Sequence, residues 1–225
     1  MSEVYSGEPV RIAMADDDIS VRELVCNHIN TLENCKVLIQ AGDGQELLDK
    51  LKIKPGIDLV ILDIIMDGLD GYTTAEFIKK AYKDMRILFY SICKTELALA
   101  QMAASGGHGL IRKGKSSSQI AVAIKKVMGG YYFFPDMEEK IAINGNGFSN
   151  GKSDKQVALS TAQIGFLQWA GTGKTYKEIA DHMNVNPRQV DYIRGELFKR
   201  FHVKNRVALA ILARQSGIVQ SGGST

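Results

Sequence analysis

The stretch "DLVILDI", Asp58 to Ile64, decides how this chain folds. Four consecutive apolar residues, Leu59 to Leu62, leave no polar face, so a strand built from them must be covered on both sides. An acid, Asp63, then ends the run. "VRIAMA" (10–15), "KVLIQA" (36–41), "RILFYS" (86–91) and "GLIRK" (109–113) read as further strands. The runs 19–32, 44–53, 70–82, 94–105 and 116–128 read as amphipathic helices between and after them. Five repeats of strand then helix, with continuous apolar strands at 59–62 and 87–90, predict an α/β fold: a doubly wound five-stranded parallel sheet with helices on both faces. Such sheets bind ligands at the carboxyl ends of their strands.

Those ends carry the chemistry. "MADDD" puts Asp16, Asp17 and Asp18 straight after the first strand, and Asp63 follows the third. With these strands adjacent, the carboxylates converge on one crevice, where they repel unless a cation neutralises them. Hard oxygen donors with room for water suit Mg²⁺. Ser91 ends the fourth strand and Lys113 the fifth. Metal-binding acids, a carboxylate nucleophile, a hydroxyl and a lysine in one place fit phosphoryl transfer to an aspartate, in which cations offset the charge on the transferred group.

The length of 225 residues accommodates two domains, each with its own core. Cys26, Cys35 and Cys93 form no CxxC pair and read as reduced thiols, which places the chain in the cytoplasm. The acidic, polar N-terminus is no signal peptide, and "IDLVILDIIMD" is too short and acidic to span a bilayer, so no membrane association is expected. The net charge of +3 is unevenly spread: residues 1–135 hold 16 Lys and Arg against 17 acids, while residues 157–225 hold 9 against 4. A near-neutral body with a basic end suggests a polyanion-binding module at the C-terminus.

Between the two, "NGNGFSNGKSDKQ" (144–156) has almost nothing to bury and reads as flexible linker. Four helical segments follow, at about 159–170, 175–183, 187–201 and 206–216. "AGTGKTYKE" (170–178) ends like a phosphate-binding loop, but Gln168 stands where that loop needs its first glycine, and a helix rather than a strand precedes it. In "VNPRQVDYIRGELFKRF", Asn186 is an N-cap, Pro187 the first helical residue, and Gln189 completes a capping pattern. Val190, Ile193, Leu197 and Phe201 face a core, while Arg188, Asp191, Tyr192, Gly195 and Lys199 share the other side. With "KEIADHM" before it this makes a helix-turn-helix, whose second helix fits a major groove of double-stranded DNA. Lys174 and Lys177 near the first helix's N-terminus are then placed for DNA phosphates, with Arg194, Lys204 and Arg206 as further candidate contacts.

"ADDD", "LVILDIIMDGLDGY", "FYS" and "SGGHGLIRK" resemble the receiver domain of two-component response regulators, a flavodoxin-like fold, over residues 9–130. Residues 157–218, after a linker at 131–156, resemble the LuxR-type four-helix DNA-binding domain, and the whole chain is similar to the NarL/FixJ class. The resemblance implies a regulator of transcription rather than an enzyme. It implies Asp63 as phosphoacceptor for a partner histidine kinase, Mg²⁺ on Asp16, Asp17, Asp63 and the carbonyl of Ile65, and contacts from Ser91 and Lys113 to the phosphoryl group. A last helix pairing two subunits implies a homodimer on DNA.

Four departures stand out. Asp67 replaces the usual proline and reads as a solvated loop acid. Leu110 replaces an aromatic residue that in most receivers swings inward on activation. Asp191 and Gly195 occupy common groove-contact positions. Asp191 is read as an acid in the first helical turn, paired with Arg188 or Arg194, the alternative being an acceptor for a cytosine amino group. Gly195 costs about 1 kcal/mol against alanine in mid-helix, so something must approach closely there, either DNA or another helix. These two residues also motivate a rival function, a phosphorylation-independent adapter whose helical end recruits a protein.

Overall fold

The computed structural model describes residues 8–93, 95–114, 117–134, 141–144, 147–150, 153–156 and 159–219. Strand β1 (Val10–Ala15) leads through helix α1 (Ile19–Asn30) to β2 (Cys35–Ala41), and α2 (Gly44–Ile53) leads to β3 (Leu59–Leu62). Helix α3 (Gly71–Ala81), β4 (Arg86–Ser91), α4 (Glu96–Ala104), β5 (Gly109–Arg112) and α5 (Ser118–Met128) complete the alternation. All five strands are parallel, in the order β2-β1-β3-β4-β5. The apolar run of β3 is central and wholly buried, as its lack of a polar face demands.

Side chains alternate across the sheet with the period of two that a strand imposes. Ile12, Met14, Leu59, Ile61, Leu88 and Ile111 meet Val25, Cys26 and Ile29 of α1 and Ile120, Ala123, Ile124 and Val127 of α5 on one face. On the other face Phe89 of β4 meets Tyr72 of α3, ring centroids 5.7 Å apart. The register aligns Ala15 with Leu62 and Leu62 with Phe89, so the strands finish level. The ladder runs one step further: Asp63 N–H donates to the Ala15 carbonyl at 2.9 Å, and Lys113 N–H to that of Ser91 at 3.1 Å.

The chain divides into two compact units, Met1–Ile92 with Ser105–Lys140, and Cys93–Ala104 with Ile141–Thr225. The second holds β6 (Ile141–Asn144), β7 (Gly147–Asn150) and β8 (Ser153–Gln156), then α6 (Thr161–Ala170), α7 (Tyr176–His182), α8 (Pro187–Arg200) and α9 (Arg206–Gln215). Phe166, Leu167, Ile179, Ala180, Val190, Ile193, Leu197 and Leu209 form its core, joined by Leu97 and Ala100 of α4. By its packing, α4 counts with the second unit. This helix is not amphipathic: Leu97 through Met102 are all buried, as a run without a polar stripe requires.

The linker reading also needs correction. Residues 141–156 carry a three-stranded antiparallel sheet, order β6-β7-β8, pairing Asn144 with Gly147 and Asn150 with Ser153. Residues 145–146 and 151–152 of the expected linker lie outside the described residues; the backbone pairing of the short strands beside them outweighs the shortage of apolar residues. Residues 135–140 of the expected linker, and 157–158 at the start of the expected helical domain, lie outside the described residues.

Candidate functional site

Asp16 and Asp63 stand at the ends of neighbouring strands and are almost completely withdrawn from water, 0% and 5% exposed. Lys113, carried to the same edge by β5, places its ammonium 2.8 Å from Asp16 Oδ2 and 2.7 Å from Asp63 Oδ2. Burial pushes both carboxyls above the ordinary aspartate range, against the pull of Lys113. Burial also pulls the Lys113 ammonium down, but hydrogen bonds to Asp16 and Asp63 outweigh it and leave the group raised. Asp63 Oδ1 accepts from the Ile64 N–H at 2.7 Å, which fixes the carboxylate's rotation.

Asp17 is exposed, yet one carboxylate oxygen from each of Asp16, Asp17 and Asp63 lies within 4.8 Å of the others. Acceptor-only oxygens gathered this closely, two of them shielded from water, fit a hard divalent cation. Asp18 does not join them. Its carboxylate caps α1, accepting from the Ser20 and Val21 N–H groups at 2.9 and 3.1 Å, so the third acid of "DDD" supports a helix end. Ile65 follows in the loop after β3, and Asp67 in that loop is exposed, its N–H donating to Asp17 Oδ2 at 3.3 Å. Ser91 is fully buried at the end of β4. Leu110, 4% exposed in β5, sits in register with Phe89.

Gly71, first residue of α3, is a site residue that pattern reading passed over. A Cβ there would lie 2.0 Å from the carbonyl oxygen of Asp63 and 2.9 Å from Cα of Ile64. Only glycine lets α3 pack this close to the backbone that presents Asp63. The signal in the sequence was the Gly within "LDGY", eight residues after the acid.

The second site is built on α7 and α8. Thr175 and Asn186 cap these helices with reciprocal side-chain to backbone bonds from Glu178 and Gln189. "GTGKT" is thus the turn between α6 and α7, not a nucleotide loop. Lys174 holds its ammonium 5.4 Å from the centre of the Trp169 ring, while Lys177 and Lys204 are exposed. On α8, Val190, Ile193 and Leu197 are buried, and Arg188, Asp191, Tyr192, Gly195 and Lys199 are exposed, the division expected of the period. Phe201 is only partly buried.

Arg206 is placed otherwise. Its guanidinium donates to the carbonyls of Ala170 (2.8 Å), Lys174 (2.5 Å), Thr172 (2.6 Å) and Trp169 (3.1 Å). Two of these carbonyls end α6 and two lie in the turn after it, and Arg206 ties them together, so this cation is spent inside the fold rather than left free for a DNA phosphate. Asp191 makes the expected pair with Arg194 but departs from the expected position. It is the fifth residue of α8, whose first turn holds no acid, and pairs with Arg194 at 3.3 Å. Arg194 in turn sits 4.6 Å from the centre of the Tyr176 ring.

Level strand ends bearing two buried acids bridged by a lysine, followed by a capped helix pair, define an α/β domain with an acidic strand-end site joined to a helix-turn-helix. The response regulator receiver domain family matches residues 12–125, and the luxR family of bacterial regulatory proteins matches residues 157–213. The chain belongs to the receiver-domain family and has the two-domain architecture of a LuxR-type response regulator. Similar proteins include Fimbriae Z protein of Salmonella typhimurium, 26% identical over 92% of this chain and 97% of that protein. Response regulator GacA of Pseudomonas aeruginosa is 23% identical over 94% of this chain and 99% of its own length. Among solved structures, that of two RcsB dimers bound to two parallel DNAs superposes with a TM-score of 0.62 at 20% identity, covering 91% of this chain and 98% of the other. Among the described residues no helix is long and apolar enough to cross a membrane.

Proposed function

We propose that this chain is a cytoplasmic regulator of transcription, switched by phosphorylation of Asp63 by a partner histidine kinase and acting as a homodimer on double-stranded DNA. The observation that carries the reading is the Lys113 ammonium shared between Asp16 and Asp63, with Asp17 beside them at the sheet's edge. A carboxylate oxygen of Asp63 attacks the phosphorus, an O–P bond forms as the donor's N–P bond breaks, and the departing imidazole keeps the nitrogen's electron pair. Lys113 offsets charge on the transferred group, and the buried Ser91 hydroxyl supplies a contact at the end of β4. Asp16, Asp17, Asp63 and the Ile65 carbonyl would hold Mg²⁺, which when bound neutralises the charge of the acids and the phosphoryl oxygens. With Leu110 at the usual aromatic position, the signal leaves the site through Ser91 and its loop rather than by an aromatic swing.

The test is intact mass and oligomeric state with Mg²⁺ and a small acyl-phosphate donor, beside Asp63→Asn. An adduct in the wild type that is absent from the variant, with dimer formation, supports the reading; an unmodified wild type overturns it. For the helical end, three to five phosphate contacts per chain, six to ten in the dimer, predict affinity falling with salt at a log–log slope of about −5 to −9. Retention of a protein partner in place of DNA, indifferent to salt, would favour the adapter.

A further inference from the structure

Gly195 is exposed in the middle of α8, and a Cβ built on it would meet nothing within 4 Å. No neighbour in the chain therefore requires a glycine, although glycine weakens the helix. One turn earlier Asp191 projects from the same face with 59% of its side chain exposed. It lies beyond the first helical turn, so the helix dipole does not account for it. An acid on a face turned toward a polyanion is repelled, unless it accepts a hydrogen bond that the polyanion's bases donate. Asp191 is also held for such a task. Arg194 pairs with its Oδ1, and that guanidinium is itself set against Tyr176, whose ring stacks on Phe166 in the core. Tyr192, 70% exposed, flanks the acid.

Resting on the DNA-binding reading above, we propose that Asp191 is a specificity-determining residue that accepts a hydrogen bond from the N4 amino group of a cytosine in the major groove. Arg194 fixes the carboxylate's direction, and the bare backbone at Gly195 lets α8 come close enough for the short aspartate side chain to reach the base edge. The pair thus sets which base is read at one step, while Lys177, Arg188 and Lys199 supply attraction that is blind to sequence.

The experiment is selection from randomised duplexes with the full-length protein, wild type against Asp191→Ala, Asp191→Asn and Gly195→Ala, with melting temperatures measured in parallel. The wild type is expected to enrich a cytosine at one position of each half-site. Asp191→Ala is expected to lose that preference, binding the selected duplex about ten-fold more weakly and random duplex more tightly, because a repelling charge is gone. Asp191→Asn should move the preference toward adenine. Gly195→Ala should melt higher yet bind the selected site more weakly, an opposition that a purely structural role would not produce. Asp191→Ala enriching the same sequence as wild type, or Gly195→Ala binding it unchanged, overturns the inference and leaves DNA binding intact. A wild type that enriches no sequence removes the DNA-reading itself, and this inference with it.

Discussion

His108 should make the first unit acid-sensitive in a calculable way. Its Nδ1 accepts the Ile87 N–H at 3.1 Å, and its ring stacks on Tyr132. Burial, with Arg86 and Lys79 nearby, pulls its pKa from 6.5 down to about 4. Folding therefore favours the neutral ring, so the stabilisation is fully present above about pH 6.5 and is lost as pH falls toward 4. At pH 5 the unfolded histidine is almost entirely protonated and the folded one about a tenth so, which corresponds to about 2 kcal/mol. At pH 7 the same term is only about 0.2 kcal/mol. Allowing for residual contact with water, lowering the pH from 7 to 5 should cost the wild type about 1 to 2 kcal/mol more than His108→Gln, whose amide oxygen can still accept from Ile87. Urea unfolding at pH 7, 6 and 5, with hydrogen exchange of the β4 amides reporting the first unit by itself, measures the difference. Parallel pH profiles for the two proteins would refute the reasoning, because they would mean the imidazole is charged in the fold or indifferent to it.

Arg206→Ala should destabilise the helical unit by about 2 to 3 kcal/mol, read by Trp169 fluorescence on heating, since four carbonyls lose a charged donor. Arg206→Lys should recover little of it, because an ammonium cannot span the same fork. Gly71→Ala should cost at least about 2 kcal/mol and slow adduct formation at Asp63, as the obstructing atoms are backbone and have little room to yield. Asp18→Ala should cost about 1 kcal/mol with Mg²⁺ affinity nearly unchanged by calorimetry, while Asp17→Ala should show the reverse, low cost in stability and weakened binding.

Much of the first unit could be read from letters because its signals are local. An apolar run that ends in an acid says both that a strand is buried and where it stops, and five such runs in alternation admit few topologies. Asp16, Asp63, Ser91 and Lys113 were legible for that reason: each occupies the same place on its own strand. The capped start of α8 was legible because Asn186, Pro187 and Gln189 act within four residues of one another. Asp18 was misjudged with its neighbours, since whether an acid caps a helix or faces a crevice depends on how the chain leaves the strand. The strand pairing within 141–144, 147–150 and 153–156 was hidden by a composition with little to bury.

Local pattern was enough to set the order and type of the main elements, the face that α8 buries, and the acids, hydroxyl and lysine at the strand ends. How particular polar groups are used emerged only from the folded arrangement. Arg206 was a candidate DNA contact; three-dimensional packing surrounds it with the carbonyls of Trp169 and Ala170 at the end of α6 and of Thr172 and Lys174 in the turn that follows, and these claim it first. Gly71 drew no notice in the sequence, and its role follows only from how close α3 comes to the carbonyl of Asp63. Periodicity and capping are interactions between near neighbours and survive in a one-dimensional reading. The partner of a guanidinium or the clearance around a glycine depends on residues tens of positions away, which only the folded chain brings together.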